Sequence, residues 1–105
     1  MRQALEKTKG LTAVFAMADV IAIGAIRALL DEGLRVPEDI SVVGYDGLRI
    51  GDFYVPKLTT ISQSVELLAK RSFELLISCM QGAAAQHLTV PFRLLRRQSV
   101  RQITE

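Results

Sequence analysis

Two short apolar runs, residues 12–17 (TAVFAM) and 40–45 (ISVVGY), stand on either side of a helix-patterned stretch that opens at Asp19 and stops at Gly33. Runs this short, with almost no polar alternation, mark strands covered on both faces. A strand, a helix and a second strand at this spacing form a right-handed βαβ unit of a parallel sheet. The chain is therefore expected to be α/β. Asp19 is placed to cap the helix, a role worth about 1 kcal/mol, and Gly33 to end it.

The helix, residues 19–32, is apolar over more than the roughly 100° stripe that a surface helix needs. Val20, Ile21, Ile23, Ile26, Leu29 and Leu30 leave few solvent residues, among them Arg27 and Asp31 at i,i+4 spacing. Either this helix is sandwiched in a larger fold or its second face meets a partner. Gly24 in mid-helix costs up to about 1 kcal/mol against alanine, which predicts close packing there.

Residues 46–56 (DGLRIGDFYVP) form a long glycine-bearing loop at the carboxyl end of the second strand, where ligands sit in open α/β sheets. A short strand at 59–62 follows, then a helix over 64–81 with Ser64 at its start and Gly82 at its stop. This helix is amphipathic: Val65, Leu68, Phe73, Leu76, Ile77 and Met80 recur at helical spacing opposite Glu66, Lys70, Arg71 and Glu74. Residues 88–97 read as a last strand, with Pro91 confining it to an edge or to the strand's beginning. Residues 1–9 read as helix, and with no cap before Arg2 the chain looks entered in mid-element.

Much chemistry is excluded. One cysteine, Cys79, and one histidine, His87, rule out a disulfide framework and any multi-cysteine or two-histidine metal site. Cys79 reads as a reduced structural thiol and His87 as a solvated linker residue. No glycine-rich phosphate loop follows residues 12–17, and no Gly-x-Ser-x-Gly elbow occurs, so an enzyme is not expected, nor any cofactor or metal. No apolar run reaches the roughly 18 residues of a membrane span, and no signal peptide opens the chain. The net charge of +2 is nearly balanced. Its basic excess is local, at Arg93, Arg96, Arg97 and Arg101. These are read either as solvated residues of an edge strand or as a nucleic-acid arm, the former favoured because no aromatic residues are interleaved after Phe92. What remains to be explained is a chain 50% hydrophobic with only 6% aromatic residues.

TAVFAMAD, AIGAIRAL, GLRVPEDISVVGYD, PKLTTISQ and LLRRQSV, in that order, resemble the lactose/galactose repressor (LacI/GalR) family of bacterial transcription regulators. The resemblance runs from about Thr12 to Val100 and covers the C-terminal part of the effector-binding region. It implies a partial three-layer α/β/α lobe of the type I periplasmic-binding-protein-like fold. Residues 11–61 would then belong to the C-terminal lobe, 64–82 to a crossover helix of the N-terminal lobe, and 88–100 to a returning strand. The helix-turn-helix has no counterpart here, so operator DNA would be reached only through a missing N-terminal domain.

The resemblance implies an effector, a sugar or sugar derivative, bound by Asp46 and Gln63. A carboxylate at a strand's carboxyl end offers strong acceptors to hydroxyl groups, although a loop aspartate also forms Asx-turns. Gln63 serves equally as a hinge residue satisfying backbone groups. Two positions depart from the family: Ala18 replaces a frequent asparagine that contacts the effector, and Gly47 replaces a common acidic or amide residue. The family also implies pairing through Ile23, Phe53, Tyr54 and Val55, against the alternative that Phe53 and Tyr54 tuck under their own loop. The expectation is a cytoplasmic dimer, formed by that interface or by exchange of the 64–81 helix or last strand. A fragment of a periplasmic sugar-binding transport receptor of the same fold is the alternative.

Overall fold

A computed structural model of the protein describes residues 1–104. Its elements, in order, are α1 (Arg2–Lys7), β1 (Ala13–Phe15), α2 (Asp19–Asp31), β2 (Ser41–Asp46), α3 (Ile50–Phe53), β3 (Thr59–Gln63), α4 (Val65–Met80) and β4 (Phe92–Leu95). The chain divides into two units, one of Met1–Ser62 with the residues from Leu94 onward, the other of Gln63–Arg93.

The first unit holds β1, β2, β3 as far as Ser62 and the end of β4, and the strand order of the sheet is β1-β2-β3-β4. β1 and β2 run parallel with Val14 opposite Val42, and β2 and β3 run parallel with Gly44 opposite Thr60. Helix α2 lies on this sheet. Ala22, Ile26 and Leu29 are fully buried against Val42, Ile40 and Leu58, and these side chains make up most of the core. The i, i+4, i+7 spacing of the three helix residues explains the choice of face. Gly33 at φ 75° lets the chain turn out of α2, a backbone conformation that costs glycine nothing.

Two expectations fail. β1 is not covered on both faces: Ala13 and Phe15 are exposed, Phe15 at 61%, while Val14 is partly buried against the core. Gly24 is not a point of close packing. A side chain there would meet nothing, since Gly24 lines an open apolar groove of about 600 Å³ between α1, β1 and α2. The second face of α2, with Val20, Ile21 and Leu30, is exposed as well.

The amino-terminal end of the sheet is closed by the residues after β4. The Ser99 hydroxyl donates to the Val42 carbonyl at 2.6 Å and accepts the Thr59 amide at 2.8 Å, while the Val42 amide donates to the Ser99 carbonyl at 2.8 Å. Arg97 adds its amide to Thr59 Oγ1 and its guanidinium to the Leu58 carbonyl. Ser99 is fully buried, so its hydroxyl bonds are made out of reach of water, whereas those of Arg97 are part-buried.

In the second unit, α4 follows Ser64, which occupies the N-cap position without a side-chain capping bond. None of its residues is buried, and the apolar stripe that includes Phe73, Leu76 and Met80 is exposed. Arg71 and Glu74 pair along it at 2.9 Å.

The turn between α2 and β2 carries a surface ion pair. The Arg35 guanidinium donates through Nε and Nη2 to both carboxylate oxygens of Asp39, and the Arg35 amide adds a third bond. These bonds hold the Asp39 carboxyl down to about 2 from its ordinary 3.8. A depressed carboxyl stabilises the fold above its unfolded pKa and loses that contribution as pH falls through the folded value. Acid titration of the unfolding midpoint is expected to show Asp39→Asn less stable than the parent above pH about 4, the two curves converging as pH falls to about 2.

Candidate functional site

β2 ends at Asp46, beside Ser62 of β3. The backbone at Asp46 has φ 131°, which side-chain-bearing residues rarely adopt and which costs on the order of 1–3 kcal/mol. Gly47 follows at φ 78°, pressed so closely on β3 that a side-chain carbon there would come within 2.7 Å of Ser62 Cα. Only glycine fits both the sign of φ and the space. The carboxyl end of the parallel pair is thus a tight turn, with the half-buried Asp46 at its head.

Beneath this turn lies a fully buried carboxylate, that of Asp19. It is the first residue of α2, where the helix dipole favours an acid. Asp19 does not cap the helix as expected: Ala18 is the N-cap residue, and no side-chain capping bond is made. The physical reason is competition. One carboxylate oxygen accepts the Thr60 hydroxyl at 2.5 Å and the other accepts the Leu48 amide at 2.7 Å, so both face away from the helix's own amides. The Thr60 oxygen in turn accepts the Gly47 amide at 3.3 Å. Among the described residues no buried side-chain nitrogen or oxygen lacks a partner, which a buried carboxylate requires.

Gly44 makes the arrangement sterically feasible. A side-chain carbon at this position would collide with the Asp19 carboxylate and approach Leu58 Cδ2 to 2.9 Å and Ala22 Cβ to 3.3 Å. Sequence reasoning missed Thr60, Ser99 and this use of Gly44. For Thr60 the available signal was a polar hydroxyl on a strand otherwise bound for the core, since such a residue must find an internal partner.

Gln63, the other expected effector residue, is the last residue of β3, half-buried, and the first of the second unit. The four expected interface residues divide. Phe53 and Val55 are 75% and 82% exposed, whereas Ile23 and Tyr54 are partly buried and pack against the core. Ala18 and Gly47 supply no side-chain hydrogen bond, and Gly47 contributes its amide instead. No cluster of three or more potential metal ligands occurs among the described residues. No helix there is long and apolar enough to cross a membrane.

Residues 1–100 match the periplasmic binding protein-like domain, and the chain belongs to that family. It is 42% identical over 96 residues to the HTH-type transcriptional regulator MalR of Clostridium butyricum, covering 90% of this chain and 29% of that protein. It is 44% identical over 102 residues to the HTH-type transcriptional repressor PurR of Photorhabdus laumondii, covering 95% of this chain and 30% of that one. The chain thus spans about three-tenths of the length of these relatives. Two solved structures resemble it closely. One is a complex of the transcriptional regulator CelR with cellobiose, with a TM-score of 0.87 and 32% identity over 93% of this chain and 31% of that one. The other is a lac repressor dimer bound to operator and the anti-inducer ONPF, with a TM-score of 0.84 and 39% identity over 93% of this chain and 35% of that one. The family form is the one carried by LacI-type transcription regulators.

Gly44→Ala is expected to destabilise the fold by about 1–3 kcal/mol, the usual cost of overpacking, or more if the Asp19 carboxylate is displaced from its partners. Urea denaturation checks this, with Gly24→Ala, whose added carbon meets nothing, as the neutral or stabilising control.

Proposed function

We infer that this chain is the effector-binding and dimerisation portion of a sugar-responsive transcription regulator, in which a small molecule changes the affinity of a paired protein for operator DNA. The observation that carries this reading is Asp46, a strained acceptor residue at the carboxyl end of a parallel strand, in a chain more than 40% identical to transcription regulators. Strained backbone of this kind collects at ligand sites, and a carboxylate binds vicinal hydroxyl groups with both oxygens. The cellobiose bound to the CelR structure supports a saccharide as the effector class. Gln63 is the second effector residue, able to donate and accept.

On this reading residues 11–61 belong to the C-terminal lobe, 64–82 to a crossover helix of the other lobe, and 88–100 to the returning strand. Ligand binding shifts an equilibrium between lobe arrangements by its differential affinity for them. The protein works in the cytoplasm and acts by binding rather than catalysis. Operator DNA is contacted by a helix-turn-helix domain outside these residues. The relatives named above are regulators, which weighs against a transport receptor.

Isothermal titration with cellobiose, D-ribose and maltose tests the effector assignment. At least one sugar is expected to bind, and Asp46→Ala to weaken it at least tenfold, about 1.4 kcal/mol. No binding by any of the three, or equal binding by the variant, would count against the reading.

Pairing is proposed through the exposed Phe53 and Val55, with Ile23 and Tyr54 supporting them from the core side. Light scattering at low micromolar concentration is expected to give a dimer mass, and Phe53→Asp with Val55→Asp a monomer mass. A monomeric parent would refute the assignment.

A further inference from the structure

We propose that Asp19 and Thr60 are positioning residues that hold the loop after β2 in shape, so that Asp46 is presented ready-formed instead of being organised when a ligand arrives. The proposal rests on Asp46 being the ligand-contacting residue, and it names two side chains that act through it.

Asp19 and Thr60 are fully buried, so neither reaches a ligand. Their reach is to the two amides that follow Asp46. The Leu48 amide is held directly by Asp19 at 2.7 Å, and the Gly47 amide by Thr60 Oγ1 at 3.3 Å. The direction of the relay is determined by the chemistry. A hydroxyl has one proton to give; Thr60 gives it to Asp19 at 2.5 Å, which turns its lone pairs toward Gly47. Two consecutive peptide groups are therefore tied to one buried carboxylate across 29 residues of sequence to Leu48 and 41 to Thr60. A non-glycine residue at φ 131° persists only where its surroundings over-determine it. These two bonded amides contribute to that determination.

The alternative is that Asp19 and Thr60 merely stabilise the fold, and the test separates the two roles. Thr60→Val keeps the side-chain shape but removes the hydroxyl; Thr60→Ser keeps the hydroxyl. Solution NMR on the protein reads the three-bond HN–Hα coupling of Asp46, which is small at its observed φ and large in extended backbone. It also reads exchange protection of the Gly47 and Leu48 amides against that of Val42 in the core. In the parent and in Thr60→Ser the coupling is expected to be small and both amides protected. In Thr60→Val the coupling is expected to rise and Gly47 protection to fall at least tenfold more than that of Val42, which follows the loss of global stability alone. Asp19→Ala, which removes both acceptor oxygens, is expected to lower Leu48 protection as well; if it does not fold, the Thr60 pair decides. An unchanged Asp46 coupling in Thr60→Val overturns the proposal, as does an equal loss of protection at Val42. Where the parent binds one of the three sugars, Thr60→Val weakens it at least tenfold and Thr60→Ser less than twofold; equal affinity overturns the presenting role. If the parent binds none, the effector reading fails, and the coupling and exchange data still decide whether Thr60 and Asp19 shape the loop.

Discussion

Burying one carboxylate organises this protein. Removing an acid from water costs several kcal/mol unless its oxygens are satisfied, and Asp19 is fully buried. Its position in the first turn of α2 offsets part of that cost, and the Thr60 hydroxyl and Leu48 amide offset more. Those partners come from a different strand and a different loop. The carboxylate can be satisfied only if α2, the end of β2 and β3 are all in their native places. Gly44 is the complementary requirement, since any side chain there would enter the space the carboxylate occupies.

The two ends of the sheet are consequently built for different purposes. At the amino end, Ser99 and Arg97 fill the gaps between strands with side-chain and main-chain bonds, and the end is closed. At the carboxyl end the bonds run inward, from the loop amides to Asp19 and Thr60, and Asp46 heads the turn above them. A closed end stabilises the sheet, whereas the other concentrates backbone strain and an acceptor side chain in one place. This polarity is general to parallel sheets, because every strand delivers its carboxyl-end loop to the same edge.

The apolar surplus has a definite location. Phe15, Met17 and Ile21 are exposed around the groove beside β1 and α2, Phe53 and Val55 at the end of α3 and just after it, and Phe73, Leu76 and Met80 along α4. Contiguous exposed apolar groups of this extent mark surfaces that other chain segments or subunits cover. The chain spans about three-tenths of the relatives it matches.

The sequence by itself determined the order of the elements and the parallel sheet, because periodicity and punctuation are local properties. Asp19 and Gly33 bracket α2 within one residue, and GYD followed by glycine marks the end of β2 and the turn after it. The sequence also singled out Asp46 through a family resemblance. It did not reveal what Asp19 does: a helix-initiating aspartate has the same local pattern whether it caps its own helix or binds a loop 29 residues away. Nor did it show that β1 has an exposed side or that Gly24 faces open space, since an apolar run records what a surface is made to meet and not what covers it. Only the tertiary structure decided these points. Hydrogen-bond partners and packing layers are set by long-range proximity, and spacing along the chain does not encode proximity directly.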